Sequence, residues 1–144
     1  MTYIERTIEI KKEPLEIFQY VVDLEKRTEW NQGLDDFKYD KDEINQVETT
    51  HTCVINGRNV DFKSFYSKSE GNEFIWFEET ESIPVLKRLI SVIEIEKKGY
   101  LSLVRSRAYL EHKNFLFKLF IPLFKRKFEK NLEESLAQLK DIFR

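Results

Sequence analysis

The chain holds a single cysteine, Cys53. That excludes an intrachain disulfide and any cysteine-based zinc cage, and it suits a reducing compartment. Histidine is almost as scarce. His51 and His112 have no carboxylate partner at a metal-ligand spacing, so no metal is expected. The four glycines form neither a phosphate-cradling loop nor a nucleophile elbow, and no cofactor is expected. No uncharged apolar run approaches the roughly 18 residues of a spanning helix. The opening MTYIERTIEIKKEP is charged throughout and lacks an apolar core, so no signal peptide is expected and the cytoplasm is the expected compartment. An excess of positive charge is missing too. With 24 basic and 26 acidic side chains the net charge is −2, which argues against nucleic acid as a partner.

What is present is aromatic surface. Twelve phenylalanines in 144 residues suit a thick core or an apolar cavity lining. The length fits one domain, residues 1–144, able to bury a core without staples. Ile4, Ile8 and Ile10 alternate with Glu5, Thr7 and Glu9, a half-buried strand whose apolar side is interrupted by Arg6. Pro14 suits a helix start. Ile17, Phe18, Val21 and Val22 then share one helical face, and Asp23 is placed to cap a second short helix ending near Trp30. The acidic stretch from Asp35 to Glu43 shows no calcium-loop spacing and reads as a solvated strand and turn.

The middle of the chain reads as a meander of short strands. Asn56-Gly57 predicts a two-residue hairpin turn, because both residues tolerate positive φ. That turn pairs Ile55 with Arg58, Cys53 with Val60, His51 with Phe62, Thr49 with Ser64 and Val47 with Tyr66, all on one mostly apolar face. A turn at Lys98-Gly99 predicts a second hairpin. Ile95, Ile93, Ser91 and Leu89 there share a face with Ser102, Val104, Ser106 and Ala108. Around Gly71 two readings stand: a two-residue loop turns Ile75 and Phe77 inward, a three-residue loop Phe74 and Trp76.

The chain closes on an apolar helix of roughly its last 30 residues, with Pro122 near its start or at a kink. Phe124, Phe128, Leu132, Leu136, Leu139 and Phe143 step by four or three along one face. Such a stripe needs a sheet to lie on.

The opening Ile8-x-Ile10, Pro14, Ile17-Phe18, Val21, Asp23 and Trp30, with the closing FEKNLEESLAQLKDIFR, resembles the SRPBCC (START/Bet v 1-like) superfamily, in its polyketide cyclase/dehydrase-like branch. The resemblance covers essentially the whole chain, and its motifs are structural. It implies an α+β helix-grip fold: a curved antiparallel sheet of about seven strands wrapped around the long C-terminal helix, with two short helices between strands 1 and 2. It also implies a hydrophobic cavity for lipids, sterols, polyketides or similar compounds. The superfamily has no universal catalytic signature, so no catalytic residue carries over.

Within that frame the expected ligand is a hydrophobic small molecule or lipid. Phe18, Phe62, Tyr66, Phe120, Phe124 and Phe128 are candidate walls, and Thr49, His51 and Ser64 candidate polar contacts. Ser91, Ser106 and Ala108 are small residues on an inner face, and opposite a Phe-rich helix they leave volume unfilled. His51 and Tyr66 are candidates for acid–base work in a cyclase or dehydratase. The plain alternative is a buried, hydrogen-bonded histidine and a tyrosine at the pocket mouth.

Residues 115–130, FLFKLFIPLFKRKFEK, allow three accounts. One is a peripheral membrane contact, with apolar side chains dipping in and Lys118, Lys125, Arg126, Lys127 and Lys130 meeting anionic head groups. Another is a core helix with a solvated basic rim. The third is a homodimer interface. A monomer and a homodimer both remain open. The leading reading is a non-enzymatic carrier or sensor. An enzyme and an interaction module using residues 115–130 are its rivals.

Overall fold

The computed structural model describes residues 2–31, 36–38, 49–55, 58–70, 73–81, 83 and 86–144, and within 36–70 it is the backbone that is described. Strand β1 (Thr2–Ile10) leads into helix α1 (Pro14–Val22) and a short turn leading to helix α2 (Arg27–Trp30). Strands β2 (Asp36–Lys38), β3 (Thr49–Ile55), β4 (Arg58–Glu70), β5 (Glu73–Thr80), β6 (Leu86–Lys98) and β7 (Leu101–His112) follow. A short helix α3 (Phe115–Lys118) and the long α4 (Ile121–Ile142) end the chain. The seven strands form one antiparallel sheet in the order β1-β7-β6-β5-β4-β3-β2.

The local signals act as their chemistry dictates. Pro14 opens α1, which buries Pro14, Ile17, Phe18 and Val21. Asp23 accepts a hydrogen bond from the Glu25 backbone N–H at 3.1 Å, capping the turn that leads to α2. Pro122 lies in the first turn of α4, where it sacrifices no helical hydrogen bond. The expected single closing helix is divided, because α3 stops at Lys118 and α4 starts at Ile121.

The β3–β4 register is the one expected from a two-residue turn: Ile55 opposite Arg58, Cys53 opposite Val60, His51 opposite Phe62 and Thr49 opposite Ser64. Asn56-Gly57 itself and Val47 lie outside the described residues. The β6–β7 hairpin differs from expectation. Lys98 pairs with Leu101, so the turn is Gly99-Tyr100, not Lys98-Gly99. Gly99 takes the first turn position at φ +59°, a conformation open to glycine at little cost. Sliding the turn by one residue moves every partner by two, so Ile95 faces Val104 instead of Ser102 and the inner face survives.

The β4–β5 hairpin resolves the ambiguity around Gly71 in an unforeseen way. Glu70 pairs with Glu73, so the loop has two residues, yet Phe74 and Trp76 are the buried pair. A β-bulge accounts for both facts. Ser64 lies opposite Glu78, but Tyr66 lies opposite Phe77, and the extra residue between them reverses the parity.

The core divides into two clusters. One joins Ile10, α1, Trp30, Phe74, Trp76, Ile93, Ile95 and Val104 to Leu136 and Leu139 of α4. The other holds Ile4, Leu86, Leu89, Ala108, Leu110 and Ile121, with Phe124, Phe128 and Leu132 packed against it. Arg6, the interruption in the first strand, reaches α4 and meets Glu129 at 3.1 Å and Glu133 at 2.8 Å. Among the described residues no helix is long and apolar enough to cross a membrane.

A Cβ built on Gly99 meets nothing within 4 Å, so a substitution there strains only the backbone. Gly99→Ala is expected to cost about 1 kcal/mol, measured by urea unfolding. A cost near zero would show that the turn relaxes to another conformation.

Candidate functional site

Between the two clusters the apolar core is interrupted. Along β6 Leu89 belongs to one cluster and Ile93 to the other, with Ser91 between them. Along β7 Ala108 and Val104 stand on either side of Ser106 in the same way. Ser135 of α4 is buried over the same region. A cavity of about 50 Å³ lies here. The sheet supplies Ser91, Ile93, Val104 and Ser106, and α4 supplies Leu132, Ser135, Leu136 and Leu139. Arg27, Trp30 and Asn31 close it from the α2 side.

The α2 side carries a buried charge pair. Arg27 is 3% exposed and Glu78 4%. The Arg27 guanidinium meets the carboxylate through both terminal nitrogens, Nη2 to Oε1 at 2.5 Å and Nη1 to Oε2 at 3.2 Å. Trp76 Nε1 donates to the same Oε1 at 2.7 Å. The guanidinium also lies 5.7 Å from the Trp30 ring centre, within cation–π range. This fork-to-fork geometry fixes α2 onto β5 and so sets one edge of the cavity. The Trp30 indole N–H is buried with no hydrogen-bond partner among the described residues.

The site gathers some of the residues singled out in the sequence and leaves others elsewhere. Ser91 and Ser106 line the cavity. Ala108 lies beside them, opposite Ser91 in the β6–β7 register, but packs into the second cluster. Phe18 stacks on Phe74 with ring centres 5.0 Å apart, inside the first cluster and away from the cavity wall. Phe124 and Phe128 lie with ring centres 5.1 Å apart against the second cluster, because the α4 face that carries them precedes the cavity. Phe120 sits at the break before α4 and is exposed. The side chains of Thr49, His51, Phe62, Ser64 and Tyr66 lie outside the described set. Their backbone register keeps His51 opposite Phe62, but the bulge breaks the strand parity that placed Tyr66 in line with Ser64.

Trp30 is both core and cavity wall. Arg27, Asn31, Glu78 and Ser135 were not anticipated. The signal for Glu78 is an acid in step with Phe74 and Trp76, the parity that only one of the two readings around Gly71 turns inward. The cavity is also smaller and more polar than the deep hydrophobic one the resemblance implies.

No protein-family model and no curated protein sequence matches the chain. Solved structures do. The hypothetical protein jhp0584 from Helicobacter pylori superposes with a TM-score of 0.83 at 7% identity, over 99% of this chain and 88% of that one. A START superfamily protein from Mycobacterium smegmatis gives 0.69 at 16% identity, over 98% and 96%. The Aha1 dimer from Colwellia psychrerythraea gives 0.70 at 20%, over 99% and 96%. The fold is therefore START-like: an antiparallel sheet with a long C-terminal helix.

Removing one partner of a buried ion pair leaves the other charge uncompensated. Arg27→Met is expected to destabilise the protein by about 3–5 kcal/mol in denaturant titration. The double substitution Arg27→Met with Glu78→Leu is expected to recover most of that loss. Additive costs in the double variant would contradict a coupled pair.

Proposed function

We propose that the chain is a non-enzymatic carrier or sensor for a small, mainly apolar molecule bearing a hydrogen-bond acceptor. The molecule is held between the sheet and α4. The observation that carries this reading is the cavity where the two core clusters fail to meet. Close packing is the norm for protein interiors, and a void lined by serines forfeits contacts that larger side chains would make. A sequence that places Ser91, Ser106 and Ser135 together between two apolar clusters keeps space and polarity between sheet and helix.

The lining supports an apolar body with one polar group. Ile93, Val104, Leu132, Leu136 and Leu139 offer apolar contact, while Ser91, Ser106, Asn31 and Trp30, whose buried N–H has no partner among the described residues, offer hydrogen bonds. An unpartnered buried N–H costs about 1–3 kcal/mol, which an acceptor on the ligand would offset. The volume of about 50 Å³ admits a few heavy atoms. Pockets for drug-sized ligands run from about 300 Å³, so a sterol- or lipid-sized compound would enter only with α4 displaced from the sheet. The START-like fold supports the same reading, since its sheet and long helix form such a grip.

Native mass spectrometry of the purified protein, followed by solvent extraction, tests this. A bound mass released on denaturation is expected. Ser106→Val, a β-branched replacement suited to a strand, fills the cavity and is expected to lower occupancy at least tenfold with an unchanged circular dichroism spectrum. Undiminished occupancy in that variant would place the ligand elsewhere.

A further inference from the structure

We propose that the corner between α3 and α4 is a docking surface for an anionic lipid bilayer. Large apolar side chains are bare there: Phe115 is 76% exposed, Leu119 73%, Phe120 57% and Leu123 74%. They lie within nine residues, at the break where α3 ends and α4 begins. Each is of a type that loses favourable free energy in water, and together they exceed the scattered single exposures usual on a protein surface.

Charge selects the occupant. From His112 to Phe128 the chain has no acidic residue, although its net charge is −2. Lys118 precedes the break, and Arg126 and Lys127 are exposed one turn after Leu123. Lys125 is partly engaged by Glu129 at 3.8 Å. A two-fold contact with a second copy would set this basic corner against itself, where like charges repel. A bilayer carrying anionic head groups supplies apolar depth for the leucines and phenylalanines and opposite charge for their basic rim.

The corner is separate from the cavity. Leu132 is the first α4 residue in the cavity wall, and it lies nine helical residues beyond Leu123, about 14 Å at 1.5 Å per residue. Docking therefore leaves the serine-lined space uncovered, and this inference stands whether or not that space holds a ligand.

Flotation of the intact protein with large unilamellar vesicles tests it. Vesicles of phosphatidylcholine alone are compared with vesicles containing about 30% phosphatidylserine, at low and high sodium chloride. The expected result is flotation with the anionic vesicles at low salt, falling at least tenfold with neutral vesicles or at high salt. Leu119→Ser with Leu123→Ser is expected to lower binding at least tenfold with an unchanged melting curve, since both side chains are already exposed. Arg126→Ser with Lys127→Ser, which does not touch the apolar residues, is expected to weaken binding about fivefold per charge. Absence of flotation with anionic vesicles at low salt overturns the proposal, as does equal flotation with neutral ones. Self-association abolished by the leucine substitutions, without vesicle binding, would assign the corner to a second copy and overturn it too.

Discussion

Leu136 and Leu139 of α4 are buried against the face of the sheet formed by Ile93, Ile95 and Val104, and the architecture depends on that contact. The helix is too polar to be buried on all sides, and its one apolar stripe must be covered. Here a sheet covers it, one of the few layer packings that bury such a stripe. The sheet in turn has one face lined by alternate apolar residues that water would otherwise reach. Each element supplies the other's missing half, and α1 with α2 covers the end of the sheet that α4 does not reach. At about 25 cal/mol per Å² of apolar surface removed from water, this mutual burial is the dominant stabilising term.

The same packing is deliberately incomplete at one place. Ser91, Ser106 and Ser135 come from three different elements and meet between the two clusters. Arg27 closes that region from the α2 side, and behind it Glu78 compensates its charge while Trp76 adds a third hydrogen bond. Burying charge is costly unless its geometry is good, and replacement by apolar residues is often neutral or stabilising. The pair is therefore poorly explained by stability alone. It holds α2 in a fixed place beside the serine-lined cavity.

Parts of this were legible in the residues. The strand, helix and strand order followed from periodicity, and the β3–β4 register followed from one Asn-Gly dipeptide, since a two-residue turn leaves no freedom in pairing. Ser91 and Ser106 were readable as a gap because two small residues interrupted an apolar face. The strands depart from the simple alternation at two hairpins. At the Gly99 hairpin the turn slid by one residue but the face survived, since the slip changed partners by an even number. At the β4–β5 hairpin the bulge near Tyr66 inserted one residue, which no turn signal announces, and every later inward residue changed.

The sequence by itself determined the periodic content: which residues of each strand and helix are apolar together, where the chain turns to within a residue, and that α4 carries a stripe needing cover. These are local properties, set by side-chain chemistry and backbone preference within a few residues. Only the tertiary structure decided that Phe124 and Phe128 pack into the second cluster while Leu132, Ser135, Leu136 and Leu139 meet the cavity. It alone brought Arg27 to Glu78, 51 residues apart in the chain. It alone left Leu119 and Leu123 in water. Each of these depends on how far along the sheet α4 lies and how α2 is rotated, and both are fixed by long-range packing that no local pattern encodes.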